Sequence, residues 1–228
     1  MKAVIFALAL LAAGSTPTFA QTTLANWTFE TSLPSTAGTF APEIGAGYAS
    51  GLHVGAATYS SPVGNGSAHS FSSTAWAVGD YYQFQTSTTG SSGIKVSWDQ
   101  ISSNTGPKNF NLSYSTDGSS FTQFAPYSVL ANASPNAWAS GTTSLASGIS
   151  FDLSALTALD NATAVYFRLI DAGTVSANGG TVASAGTDRV DNFTITAIPE
   201  PSTYALILGS AGFAGVLLLR RRRFAATL

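Results

Sequence analysis

The sequence predicts an all-β protein, a single antiparallel β-sandwich or jelly roll, and three observations point there. Ser and Thr supply 58 of the 228 residues and Gly another 22, whereas Lys, Arg, Asp and Glu together supply 20. Strong helix formers are therefore scarce, and what replaces them suits strands and polar turns. Apolar residues recur mostly with a period of two. Gly, Asn, Asp and Pro interrupt these runs often enough to leave about seven to ten short strands.

Leu24 to Glu30 alternates, with Trp27 and Phe29 on one side and Thr28 and Glu30 on the other, as a half-buried first strand does. Residues 31 to 70 read as loops and short strands around Ile44, Leu52, Val54 and Tyr59. Tyr81 to Thr86 is a strand, and so is Ile94 to Ile101, with Ile94, Val96 and Trp98 facing in. Phe110 to Tyr114 and Phe121 to Phe124 flank Asp117-Gly118, a pair that favours positive φ, which predicts a hairpin. Phe151 to Leu159 is the body's candidate helical turn. Val165 to Asp171 is apolar enough on both sides to be central, and Asp188 to Ile198 closes the body with Phe193 and Ile195 inward.

Composition excludes several chemistries. Without Cys there is no disulfide framework, thiolate zinc site or cysteine nucleophile. Residues 21 to 198 carry four basic residues (Lys95, Lys108, Arg168, Arg189) and ten acidic ones, a net charge of −6 that does not seek nucleic acid. Serine catalysis needs a histidine base; His53 and His69 lie in Gly/Ser-rich segments without a Gly-x-Ser-x-Gly elbow and read as exposed loop residues. Ten carboxylates form many pairs, but no flanking pattern selects one as a glycosidase pair, so no catalytic residue is expected.

The two ends read as addresses. Lys2, the apolar run Ala3 to Ala13 and the small-residue pattern Thr18-Phe19-Ala20 predict a secretory signal peptide over 1–20, cleaved after Ala20 for export through the Sec pathway. Its apolar run is short for an uncleaved anchor. Tyr204 to Leu219 is an uncharged apolar stretch followed by Arg220, Arg221, Arg222 and Arg223. As a helix it covers about 24 Å, and snorkelling arginines extend it to a transmembrane span with the basic tail held cytoplasmic.

Pro199-Glu200-Pro201, the apolar stretch and the arginine cluster occur together and in that order over residues 199–228, and this arrangement resembles the PEP-CTERM sorting signal of Gram-negative bacteria. The resemblance implies an exosortase-type processing enzyme as partner, membrane attachment through the C-terminal helix before processing, and display or release outside the cell among extracellular polysaccharide. An ordinary tail anchor is the alternative. Residues 21–198 form the ectodomain, similar to the β-sandwiches that accompany such tails on the segments Gly64 to Ser67, Trp76 to Phe84, Ser113 to Gly118 and Gly186 to Phe193. A looser likeness is to lectin-like and carbohydrate-binding jelly rolls, which is architectural and implies no activity.

These features predict an exported, non-enzymatic surface or matrix protein. A lectin-like module, with or without structural calcium, is the alternative, and a hydrolase is a third reading. If the first and last strands lie side by side, Glu30, Asp188 and Asp191 approach one another and offer hard oxygen ligands for Ca²⁺. Asp191 shares parity with Phe193 and Ile195, so it is expected on the core side, where Arg189 or Arg168 serves equally well as its partner. Trp76 and Trp138, in loop-like segments, are the candidates for stacking on sugar rings, whereas Trp27 and Trp98 have inward parity.

Overall fold

Alternating apolar side chains bury one face of each strand, and two sheets result. In a computed structural model that describes residues 20–35 and 38–200, five strands form one sheet in the order β3 (Tyr48–Leu52), β6 (Tyr81–Thr86), β12 (Val165–Asp171), β8 (Asn109–Ser115) and β9 (Thr122–Ser128). The other sheet runs β10 (Leu130–Ala131), β7 (Ser91–Ser102), β13 (Asp188–Pro199), β1 (Thr22–Trp27) and β2 (Ile44–Gly45). Off that path, β11 (Gly148–Asp152) pairs with β7, β5 (Phe71–Ser73) with β13, and β4 (Tyr59–Ser60) with β5. The named strand pairs are antiparallel except β10 with β7.

The inward faces meet in one core. Trp27 of β1 packs edge-on to Phe84 of β6 at 5.4 Å, and Phe84 stacks on Phe193 of β13 at 3.6 Å, so aromatic contacts join the two sheets. Ile94, Val96 and Trp98 face in as their alternation requires, and β12 is central, held by β6 and β8. The Asp-Gly hairpin forms: Gly118 has φ 73°, and Asp117 Oδ1 accepts the Ser119 and Ser120 N–H groups at 2.8 Å. Those donors hold the exposed Asp117 carboxyl down at about 2.

Three expectations change. β1 ends at Trp27, and Phe29 reaches the core from a left-handed backbone with φ 57°. That turn is held by Glu43, whose carboxylate accepts the Thr28 and Thr31 N–H groups at 2.8 and 3.1 Å. Phe151 belongs to β11, paired opposite Val96, so its periodicity reports a strand; only Thr157–Leu159 is a 3-10 turn, with another at Leu145–Ser147. Asp191 is not on the core side. A bulge between Asp191 and Thr194, with Asn192 at φ 53°, inverts the alternation and leaves Asp191 opposite Asp99, on the outward face of its sheet.

Candidate functional site

The last strand delivers the C-terminal segment. Ile198 and Pro199 are registered opposite Ser92 and Ser91, and the Glu200 N–H donates to the Gly90 carbonyl at 2.9 Å. The first two residues of the Pro-Glu-Pro motif thus extend the interior strand β13 with no intervening linker. Pro201, the apolar stretch 204–219, Arg220, Arg221, Arg222, Arg223 and the signal segment 1–19 lie outside the described residues. Among the described residues no helix is long and apolar enough to cross a membrane.

β1 and β13 do lie side by side, with Trp27 opposite Phe193, yet the three expected calcium ligands go separate ways. Glu30 accepts the His69 N–H at 2.8 Å near the surface. Asp191 Oδ2 accepts the Asn65 N–H at 2.9 Å and lies 2.7 Å from Ser67 Oγ. Asp188 is fully buried in the core half of β13. Among the described residues no group of three His, Asp or Glu side chains is placed to hold a metal ion. Neither Arg189 nor Arg168 pairs with Asp191: Arg189 Nη1 donates to the Val63 carbonyl at 3.4 Å, and Arg168 lies on the other sheet.

Asp188 sits in a closed hydrogen-bond network. Its Oδ1 accepts Gln100 Nε2 at 3.0 Å, and Gln100 Oε1 in turn accepts Trp98 Nε1 and the Tyr127 hydroxyl. Ser102 Oγ lies 2.6 Å from the Pro107 carbonyl and 2.8 Å from Asp188 Oδ2. A hydroxyl has one proton to give, so with the carbonyl as its acceptor the second contact requires a proton on Asp188. Burial pushes the Asp188 carboxyl well above the usual range in the same direction. Asp191 is raised to about 6, by burial first, against the Ser67 and Asn65 donors. Gly64 is required beside it, because an added Cβ would stand 2.1 Å from the His69 carbonyl oxygen and 2.3 Å from Asp191 Oδ2.

Both candidate tryptophans are inside. Trp76 packs on His53, Tyr82 and Phe110 and donates Nε1 to the Ser73 carbonyl at 3.0 Å. Trp138 is likewise buried and donates Nε1 to Ser147 Oγ at 2.9 Å. With 6% and 5% of their surfaces exposed, neither ring is a platform for a sugar.

His53 is also inside, and its neighbours were not marked in the sequence. Its Nε2 is 2.7 Å from Ser73 Oγ, and its Nδ1 is 3.0 Å from Asp80 Oδ2, a close but poorly aligned contact. The order Ser, His, Asp is that of an activated nucleophile. Ser73, however, is fully buried in β5 between β4 and β13, where no substrate carbonyl reaches it. Asp80 instead ties loops together by accepting the Val54 and Ala77 N–H groups, each at 2.7 Å. Burial pushes the His53 pKa down, with Asp80 opposing. His69 Nδ1 lies half-buried, 3.2 Å from the Ser61 carbonyl.

Two shallow grooves of about 370 and 360 Å³ adjoin on the outer face of the eight-stranded sheet and share Ser97 and Ser150. Each is lined by one carboxylate, Asp99 in the first and the Lys95-paired Asp152 in the second. Neither has the two carboxylates that glycoside hydrolysis uses.

A family model described as the PEP-CTERM protein-sorting motif matches residues 197–223, and the chain carries that motif at the end of a β-sandwich-like body. No curated protein matches the chain. Among solved structures, the chain is similar to the CBM22-1–GH10 modules of Clostridium thermocellum xylanase 10B complexed with xylohexaose, at 16% identity and TM-score 0.46, over 77% of this chain and 28% of that one. It is similar to the K1 cleaved adhesin domain of Lys-gingipain from Porphyromonas gingivalis W83, at 16% identity and TM-score 0.43, over 76% and 97%. A third is CBM35 from Cellvibrio japonicus Abf62, at 14% identity and TM-score 0.32, over 64% and 91%.

Proposed function

We propose that the protein is exported, sorted by an exosortase-type enzyme through residues 199–228, and works outside a Gram-negative-type cell as a non-enzymatic surface or matrix component. The observation that carries this reading is the sorting motif at residues 197–223. In this reading residues 1–20 direct secretion, residues 204–219 hold the chain in the membrane until processing, and Arg220 to Arg223 keep the tail cytoplasmic. A body rich in Ser, Thr, Gly and Asn suits hydrated polysaccharide through many weak polar contacts. The non-enzymatic part is supported by the sealed Ser73 hydroxyl and by grooves with single carboxylates.

Intact-mass measurement on protein recovered from cells and medium tests the reading. It expects loss of residues 1–20 and, where the processing enzyme is present, a second cut near Pro199. Recovery from the cytosol with the first twenty residues intact would overturn it.

A further inference from the structure

We propose that the outward face of the five-stranded sheet binds an acidic polysaccharide, with Arg168 receiving the carboxylate of a uronic acid unit. The proposal rests on the extracellular reading for where such a polymer is met, and on the following geometry for the binding itself.

Directly opposed residues on neighbouring strands share a face. Arg168 of β12 stands opposite Gln83 of β6 and Ser113 of β8, and Tyr166 opposite Gln85 and Ser115; Tyr48 of β3 stands opposite Gln85. The outward positions of β3, β6, β12 and β8 are therefore 48, 50, 52, 81, 83, 85, 166, 168, 170, 111, 113 and 115, and none is acidic. In a body of net charge −6, these strand positions carry no acid and have a cation at their centre; the nearest carboxylate, Asp117, lies at the hairpin end of the face, where Ser115 Oγ donates to it at 2.8 Å.

That cation is held in place. The Arg168 guanidinium carbon lies 3.9 Å from the Tyr81 ring centroid and 3.6 Å from that of Phe121, so the plane is clamped between two rings. Its Nε donates to Gln83 Oε1 at 2.8 Å, and Gln83 Nε2 donates onward to the Tyr48 hydroxyl at 3.4 Å. The two Nη nitrogens donate to no described group, pair with no described carboxylate, and are not among the buried unpartnered atoms. An arginine fixed by stacking and by Nε, with its Nη edge open, is preorganised for end-on bidentate contact with a carboxylate.

The surroundings favour a sugar acid over other anions. Tyr48 and Tyr166, both partly exposed, offer aromatic surface to the C–H side of a pyranose, the Tyr166 ring on the side that Gly118 does not cover. Gln85 and Ser50 beside them can meet hydroxyls. A phosphodiester polymer draws on several basic residues, and this face has one.

The test is affinity electrophoresis of the protein as recovered from expressing cells, in mild detergent, through gels containing polygalacturonate or the same polymer with its carboxyl groups reduced to neutral alcohols. Retention by polygalacturonate alone is expected. Arg168→Gln should weaken it at least about tenfold, and Tyr166→Ala, which leaves the clamp in place, about two- to tenfold. Equal retention by the neutral polymer, no retention by either, or unchanged binding by both variants would overturn the proposal. So would a concentration-dependent dimer abolished by Arg168→Gln, which would put a second copy of the chain on this face. Should Arg168→Gln fail to fold, the contrast between the two polymers and the Tyr166→Ala variant still decide. Mass measurement and gel retention fail separately, so loss of the export reading is distinguishable from loss of this one.

Discussion

Asp188 and Arg168 occupy opposite situations on the two sheets. Asp188, buried on β13, has Gln100 and Ser102 on its two oxygens and a proton that completes the count, so the fold uses up its bonding capacity. Arg168, on the open side of β12, has its guanidinium plane and Nε fixed while its Nη edge is left without a partner among the described residues. The difference separates a polar group that specifies structure from one available to a ligand. Type and charge alone do not tell them apart; the number of bonds the fold leaves open does.

The buried side of this contrast predicts the largest effects. Gly64→Ala forces a Cβ against a backbone oxygen and the Asp191 carboxyl, and should cost about 3 kcal/mol in denaturant unfolding. Asp188→Ala removes the acceptor of Gln100 Nε2 and opens a cavity, for a loss of about 2–3 kcal/mol. Asp188→Asn keeps the acceptor and supplies an N–H where the acid has its proton, so its stability should stay within about 1 kcal/mol of the parent. An asparagine variant as damaging as the alanine one would mean that Asp188 is ionised and the closed network is wrongly drawn.

A smaller effect is set by protonation. Burial raises Asp171 and Asp191 to about 6, and Asp171 Oδ2 has no hydrogen-bond partner among the described residues. A carboxyl whose folded pKa exceeds its unfolded value contributes stability below the unfolded pKa and loses it as pH rises through the folded one. Between pH 8 and 5.5 each should add about 1 kcal/mol. His53 acts the other way: its lowered pKa favours the neutral ring, so its contribution is lost as pH falls below its usual range. His53 therefore offsets part of the gain from the two carboxyls toward acid, and His53→Asn should make the rise of stability between pH 8 and 5.5 steeper than in the parent. A variant curve that stays level would show that the two carboxyls titrate normally.

Much of this architecture was readable from alternation and turn chemistry. β6 and β12 fall on the expected residues: β12 alternates strictly in burial, and β6 turns Tyr82 and Phe84 into the core. Asp191 was misplaced because a single left-handed residue, Asn192, inverts every side chain before it, and one Asp-Asn pair does not announce a bulge. His53, Ser73 and Asp80 come together through tertiary packing across three segments, with no local spacing to mark them. Arg168 reads in the sequence only as a candidate partner of Asp191, and its clamp has no local mark, since Phe121 reaches it from beyond the Asp117-Gly118 turn. Trp76 and Trp138 show the converse: loop-like surroundings did not keep them at the surface.

The smallest expected effect is the most diagnostic for the open face. If Arg168 is held ready for a ligand, its contribution to folding is limited to two ring contacts and one hydrogen bond at a partly exposed site, and Arg168→Gln should cost less than about 1 kcal/mol. Salt should barely change that cost, because no described carboxylate pairs with the guanidinium. A loss of about 3 kcal/mol would instead make the clamp a structural element, with the tyrosine face collapsing when it is removed. A small loss in stability together with a large loss of retention on the uronate polymer is the combination that a ligand-directed arginine produces and a structural one does not.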